Sequence, residues 1–144
     1  MTGLTSQGRD VRHEAVRFCT HCGVVTDDAP HRVCAECGLG IVLACARDAA
    51  PRYDAAFLVV TTDMRVSAAS ANTEPLFGDP DALVGTPLLD LLRGDALLTR
   101  HVARAAMGSS RGATAWVRTA EHGRPRKARI TGCGDPPAAL VVLS

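Results

Sequence analysis

The sequence predicts an α+β chain, a five-stranded antiparallel sheet with helices on one face, preceded by a small four-cysteine metal-binding module. Three observations carry this. Two Cys-x2-Cys-Gly units, Cys19-Thr20-His21-Cys22-Gly23 and Cys34-Ala35-Glu36-Cys37-Gly38, stand eleven residues apart. Beyond them, two β-rich runs, several short helical stretches, one longer helix and three β-rich runs follow in that order. Of the 144 residues 47% are apolar, enough for a buried core and against wholesale disorder.

A two-residue spacer lets a tight turn aim both sulfurs of a pair at one ion, and Gly23 and Gly38 permit the left-handed backbone that such turns use. Two such turns make a tetrahedral four-thiolate site of Cys19, Cys22, Cys34 and Cys37. Val24-Val25 and Arg32-Val33 are predicted as short strands around a turn at residues 26–30, with Gly40 to Ala44 as a third. The pattern resembles the zinc ribbon (rubredoxin-like, four-cysteine) families over residues 18–46. Structural Zn2+ is the expected metal, since a closed four-thiolate site suits a d10 ion and leaves no open position for water activation. Two disulfides, or iron in a rubredoxin-like redox carrier, are the alternatives. Backbone N–H groups, with Arg17 or Arg32, are expected to offset the charge of the site. His21 and His31 read as exposed polar residues, and Cys45 as a small buried hydrophobe rather than a fifth ligand. The role of Cys133 is left open.

Residues 47–51 read as a linker, with Pro51 disfavouring helix at Ala50, between the ribbon and a second domain over 52–144; residues 1–17 read as a polar N-terminal segment. The second domain opens with strands at Phe57 to Thr61 and Arg65 to Ala68. A short helix follows over Ser70 to Gly78 with Ser70 as a candidate cap, then a helical turn led by Pro80 and an apolar helix over Pro87 to Leu92. Asp95 to Met107 is the one long helix, and Gly108 ends it. Strands at Ala113 to Thr119, Arg126 to Thr131 and Ala139 to Leu143 close the chain, joined by turns at residues 121–123 and 132–137.

This order resembles the PAS sensor family across residues 52–144. The matching stretches are Phe57-Leu58-Val59-Val60-Thr61-Thr62-Asp63, Arg65 to Ser70, Asn72 to Phe77-Gly78, and Leu83-Val84-Gly85-Thr86-Pro87-Leu88. The resemblance implies a cavity between sheet and helices that holds a small ligand or is filled by side chains. Its candidate lining residues are Val59, Val66, Phe77, Leu88, Leu92, Val102, Trp116, Ile130 and Val141, each of which also reads as ordinary core. Leu88 stands where the flavin photoreceptor branch carries its reactive cysteine, which argues against light-driven adduct chemistry. His101 lies on the long helix, where some haem-binding PAS domains supply a ligand, but Arg100 and Arg104 mark a solvated face.

Sixteen basic against fifteen acidic residues give a net charge of +1. The stretch from Arg104 to Arg129 holds seven basic residues against Glu121 alone, read as Arg on solvated faces. With three Phe, one Trp and one Tyr, a base-stacking platform has few candidate members, and the near-neutral ribbon argues against nucleic acid. No apolar run approaches the ~18 residues that a membrane helix needs, and the polar first ten residues lack a secretory signal, so a cytoplasmic location is expected. No nucleophile, base and orienting partner stand together as a motif, so no catalytic residue is assigned and the chain is read as a non-enzyme. The expectation is a regulatory module in which a zinc-stabilised ribbon and a PAS domain act through a protein partner and a homodimer, with a small-molecule ligand unspecified. The alternative is a nucleic-acid-binding regulator working through the ribbon or the basic patch.

Overall fold

A computed structural model describes residues 15–26, 32–109, 111–119 and 123–144. The expected turns at 26–30 and 121–123 fall largely outside the described residues, as do His31 and most of the N-terminal segment.

The N-terminal module is a three-stranded antiparallel sheet of order β2-β1-β3, with β1 at Ala15–Cys19, β2 at Val25–Thr26 and β3 at Val42–Ala46. β1 is the strand that sequence reasoning missed, and it starts inside the segment read as polar. Its alternation explains its place: Val16 and Phe18 are buried while Ala15 and Arg17 face solvent. The strand expected at Arg32-Val33 is reduced to a single bridge between Val33 and Ile41. The one expected at Gly40 to Ala44 lies two residues further on, where Val42 to Ala46 pair the whole length of β1.

The larger sheet contains β4 (Ala56–Val60), β5 (Val66–Ala69), β6 (Leu92–Arg93), β7 (Ala113–Thr119), β8 (Pro125–Cys133) and β9 (Ala138–Leu143), all antiparallel, in the order β5-β4-β9-β8-β7-β6. It has six strands rather than the expected five. Leu92 was assigned to a helix, but the helix ends at Leu91. Leu92 turns extended, with φ −125° and ψ 135°, and pairs Thr119, so its side chain is buried in the core.

Helices α1 (Glu74–Phe77), α2 (Leu88–Leu91) and α3 (Ala96–Ala106) are described with 3-10 turns at Ala71–Thr73 and Pro80–Leu83. The expected Ser70 cap is absent: the Ser70 hydroxyl accepts from Phe57 N at 3.0 Å and donates to Ala55 O at 3.2 Å, tying β4 to the turn instead. Asp95 does cap α3, accepting from Leu97 N at 2.9 Å. Helix α3 approaches β8 at Gly132, where a Cβ would stand 2.8 Å from Ser109 O and 3.2 Å from Ala105 O.

Two cores lie on opposite faces of the large sheet. On the helix side Leu58, Val60, Leu98, Val102, Ile130 and Val141 are among the buried residues. On the other side Phe57, Val59, Leu140 and Cys133 pack with Val16, Phe18 and Cys45 of the small sheet. β4 is thus apolar at every position because both of its faces are covered. Residues 47–49 form a 3-10 turn, and the Arg129 guanidinium donates to the carbonyls of Asp48, Ala49 and Ala50 at 3.2 to 3.3 Å, so the connection is held against β8.

Candidate metal centre

The two Cys-Gly turns have the same backbone. Gly23 N donates to Cys19 O at 3.1 Å and Gly38 N to Cys34 O at 2.9 Å, with φ of 79° and 69° at the two glycines. They are tied to each other: Thr20 N donates to Ile41 O at 2.9 Å, Ile41 N to the Thr20 hydroxyl at 3.1 Å, and Cys34 N to Gly40 O at 2.9 Å. Gly40 must be glycine, since a Cβ there would fall on Cys19 Sγ and within 2.7 Å of His21 N.

This frame brings together the four sulfurs the spacing selected. The Sγ atoms of Cys19, Cys22, Cys34 and Cys37 all lie within 4.8 Å of one another. Cys19 and Cys37 are 3.7 Å apart, and Cys22 and Cys34 3.9 Å. A tetrahedral ion with metal–sulfur bonds of about 2.3 Å requires edges of about 3.8 Å, which these two separations match, so the four residues fit a metal. Backbone N–H groups of His21 and Cys22 point at Cys19 Sγ at 3.3 and 3.4 Å, and that of Leu39 at Cys37 Sγ at 3.5 Å. Such donors offset thiolate charge. Arg17 and Arg32 are exposed.

Burial raises the Cys19 thiol and pushes that of Cys22 up to about 12. At Cys37 burial also acts upward, but the N–H groups of Leu39 and Gly40 and the neighbouring Cys19 and Cys22 thiols outweigh it and bring the group down to about 6. The N–H donors thus favour the thiolate at Cys37, and a bound cation displaces the remaining protons.

His21 is half-buried rather than exposed. Its carbonyl accepts from Ala71 N at 2.8 Å, which joins the first cysteine turn to the 3-10 turn after β5. Gly23 lies against the same module, where a Cβ would meet Tyr53 O at 3.1 Å and Phe57 Cε2 at 3.7 Å.

Cys45 is outside the cluster and buried, as expected of a small hydrophobe, and shares its core with Cys133. Burial pushes the two thiols up to about 11 and about 12, with Arg129 drawing Cys45 slightly down. Both line a cavity of about 600 Å3 between the small sheet and the ends of β7 and β8, which also touches Thr131, Arg129 and Gly132.

Of the nine residues proposed to line a helix-side pocket, Val66, Leu88, Leu92, Val102, Ile130 and Val141 are buried in the helix-side core, and Phe77 packs at its edge. Two are misplaced by the sequence reading. Val59 faces the ribbon, and Trp116 is 68% exposed on the outer face of β7. His101 is half-buried on α3.

No family model matches the chain, and no curated protein matches it. Among solved structures it is similar to the PAS domain of nitrogen regulation protein NR(II) from Vibrio parahaemolyticus, at 17% identity and a TM-score of 0.48. The match covers 63% of this chain and 88% of that one.

Proposed function

We propose that the chain is a non-catalytic regulatory protein in which a zinc ribbon rides on the back of a PAS-like domain and acts through protein partners, a second copy of itself among them. One observation carries this reading: the cysteine turns are bonded into the second module. The contacts are the His21 carbonyl with Ala71 N at 2.8 Å and the shared core of Val16, Phe18, Phe57 and Val59. A unit of about 30 residues folds on its own only with help such as a metal. Here metal loading shapes a surface continuous with the larger sheet, which suits a module that reports metal-dependent or partner-dependent state rather than one that turns over a substrate.

Zinc is preferred to iron for its closed redox-silent site. The helix-side core, occupied by Leu88, Leu92, Val102, Ile130 and Val141, favours contact with partners over an enclosed ligand. The test is metal content and the visible spectrum of protein purified without added metal, followed by chelation. One zinc per chain, no visible band, and a loss of stability in the whole chain on chelation are expected. An iron–thiolate band, or a metal-free protein of unchanged stability and oligomeric state, would overturn the reading.

A further inference from the structure

The ribbon covers only part of its side of the large sheet. At the β6–β7–β8 end no described residue covers the outer face. The register places Arg93 opposite Arg118, Trp116 opposite Lys127 and Thr114 opposite Arg129. Their alternates Leu92, Val117, Thr119, Ala128 and Ile130 are buried toward the helices, so the two-residue period turns the first set outward together. Arg93, Arg118 and Lys127 are exposed and Arg129 half-exposed.

Three features single out this face. A tryptophan, 68% exposed, stands beside three exposed cations, Arg93, Arg118 and Lys127, while the Arg129 guanidinium is engaged with the carbonyls of residues 48–50. No Asp or Glu occurs on any of the three strands. Beside the indole a recess of about 400 Å3 is lined by Arg93, Asp95, Arg118 and Pro125, and the Asp95 carboxylate is engaged in capping α3. Arg118 donates one hydrogen bond, to Gly123 O at 2.8 Å, which props its guanidinium at the rim.

We infer that this face binds single-stranded nucleic acid, with a base stacked on Trp116 and the adjoining phosphates held by Arg93, Arg118 and Lys127. Cations alone attract any polyanion, and the carboxylates of an acidic segment gain nothing from the electron-rich face of an indole. A partner that repeats a flat π face and a negative charge at short intervals uses both. Arg118 lies two residues from Trp116, about 7 Å along the strand, and Lys127 about 5 Å across from it, so ring and charges fall within one nucleotide's reach. A duplex keeps its bases stacked within itself and offers the indole none. With few side-chain acceptors on the face, recognition is tolerant of sequence.

Trp116 is the one tryptophan of the chain, which makes it a reporter of its own stacking. The metal-loaded full chain is titrated with an oligothymidylate of about 15 nucleotides, with the matching duplex and with polyglutamate, following tryptophan fluorescence and the anisotropy of end-labelled probes. The single strand is expected to bind and quench Trp116, with log K falling against log salt at a slope of about −2, three phosphates at about 0.7 each. Arg118→Ala and Lys127→Ala are each expected to lessen that slope by about 0.7. Trp116→Ala, at an exposed position, weakens binding about tenfold with the slope unchanged. Polyglutamate binding as tightly without quenching would replace the proposal with an acidic protein partner. Duplex binding equal to the single strand, or no saturable binding at low salt, would also overturn it.

Discussion

The rings of Phe18 and Phe57 meet edge to face, with centroids 5.5 Å apart and planes at 80°. Phe18 belongs to the strand that runs into Cys19, Phe57 to β4, between β5 and β9 of the large sheet, and neither has measurable exposure. This pair makes the metal-binding module and the sheet a single packed body, since edge-to-face aromatics add about 0.5–1.5 kcal/mol beyond the area they bury.

Phe57→Ala is therefore expected to destabilise the chain by about 3–5 kcal/mol and to weaken metal binding in the same variant. Urea unfolding followed by circular dichroism, beside competition with a chromophoric chelator, measures both. Metal affinity unchanged in a destabilised Phe57→Ala protein would mean that the modules are merely adjacent.

Ala71→Pro isolates the backbone link to the cysteine turn. Ser70 is already extended at φ −70° and ψ 158°, which suits a residue before proline, and Ala71 opens a 3-10 turn, so the substitution removes little besides the N–H that His21 O accepts. A loss of about 1 kcal/mol is expected. It should be smaller in chelated protein, where the cysteine turn is no longer held to receive the bond; an equal loss in both states would place the effect elsewhere.

Gly40→Ala is expected to abolish metal binding, because the new methyl group collides with Cys19 Sγ and the His21 backbone. Gly78→Ala is the control. Unlike Gly40 it sits at positive φ, with φ 86° and ψ −159°, but its Cβ meets nothing, so the substitution should cost about 1–3 kcal/mol in backbone strain and leave the metal content at wild-type level. Metal content after purification reads the difference directly.

Stability should fall in alkali on account of Cys45 and Cys133. Burial raises these thiols from 9.0 to about 11 and about 12. As pH rises through 9 the unfolded chain releases protons that the folded chain keeps. The unfolded state then binds fewer protons, so stability declines toward the folded values and shows no slope from these groups below 9. Urea midpoints at about pH 8 and about pH 10.5 should drop further for the native chain than for a Cys45→Ala, Cys133→Ala variant, in which the metal thiols titrate alike. Parallel declines would remove the two thiols from the account.

The metal cluster was legible because its signature is local: two Cys-x2-Cys-Gly turns mark the four sulfurs in the sequence, although bonds outside the turns hold them together. Element order was legible for a similar reason, since each strand and helix carries its own period. What parity alone decides was not. In Ala113 to Thr119 the sets Ala113, Ala115, Val117 and Thr114, Trp116, Arg118 compete for the inside, and the size of the indole argued for the wrong one. Arg118 on the same face as Trp116 was the signal that resolves it. β4 offered no parity at all, being apolar throughout, so nothing local showed that Val59 looks toward the ribbon. β1 was hidden by Arg17 in its middle, and Leu92 by its place at the end of an apolar helix.

Strand β8 carries Lys127 and Cys133 on one face, the first in solvent beside Trp116 and the second beneath the ribbon. Six residues at about 3.4 Å each separate them by roughly 20 Å, too far for one small visitor to touch both. The two surfaces can thus be occupied at once without crowding each other. A one-residue slip of β8 would swing both side chains to the helix side together, so either occupant, by holding its own end in place, guards the alignment on which the other depends.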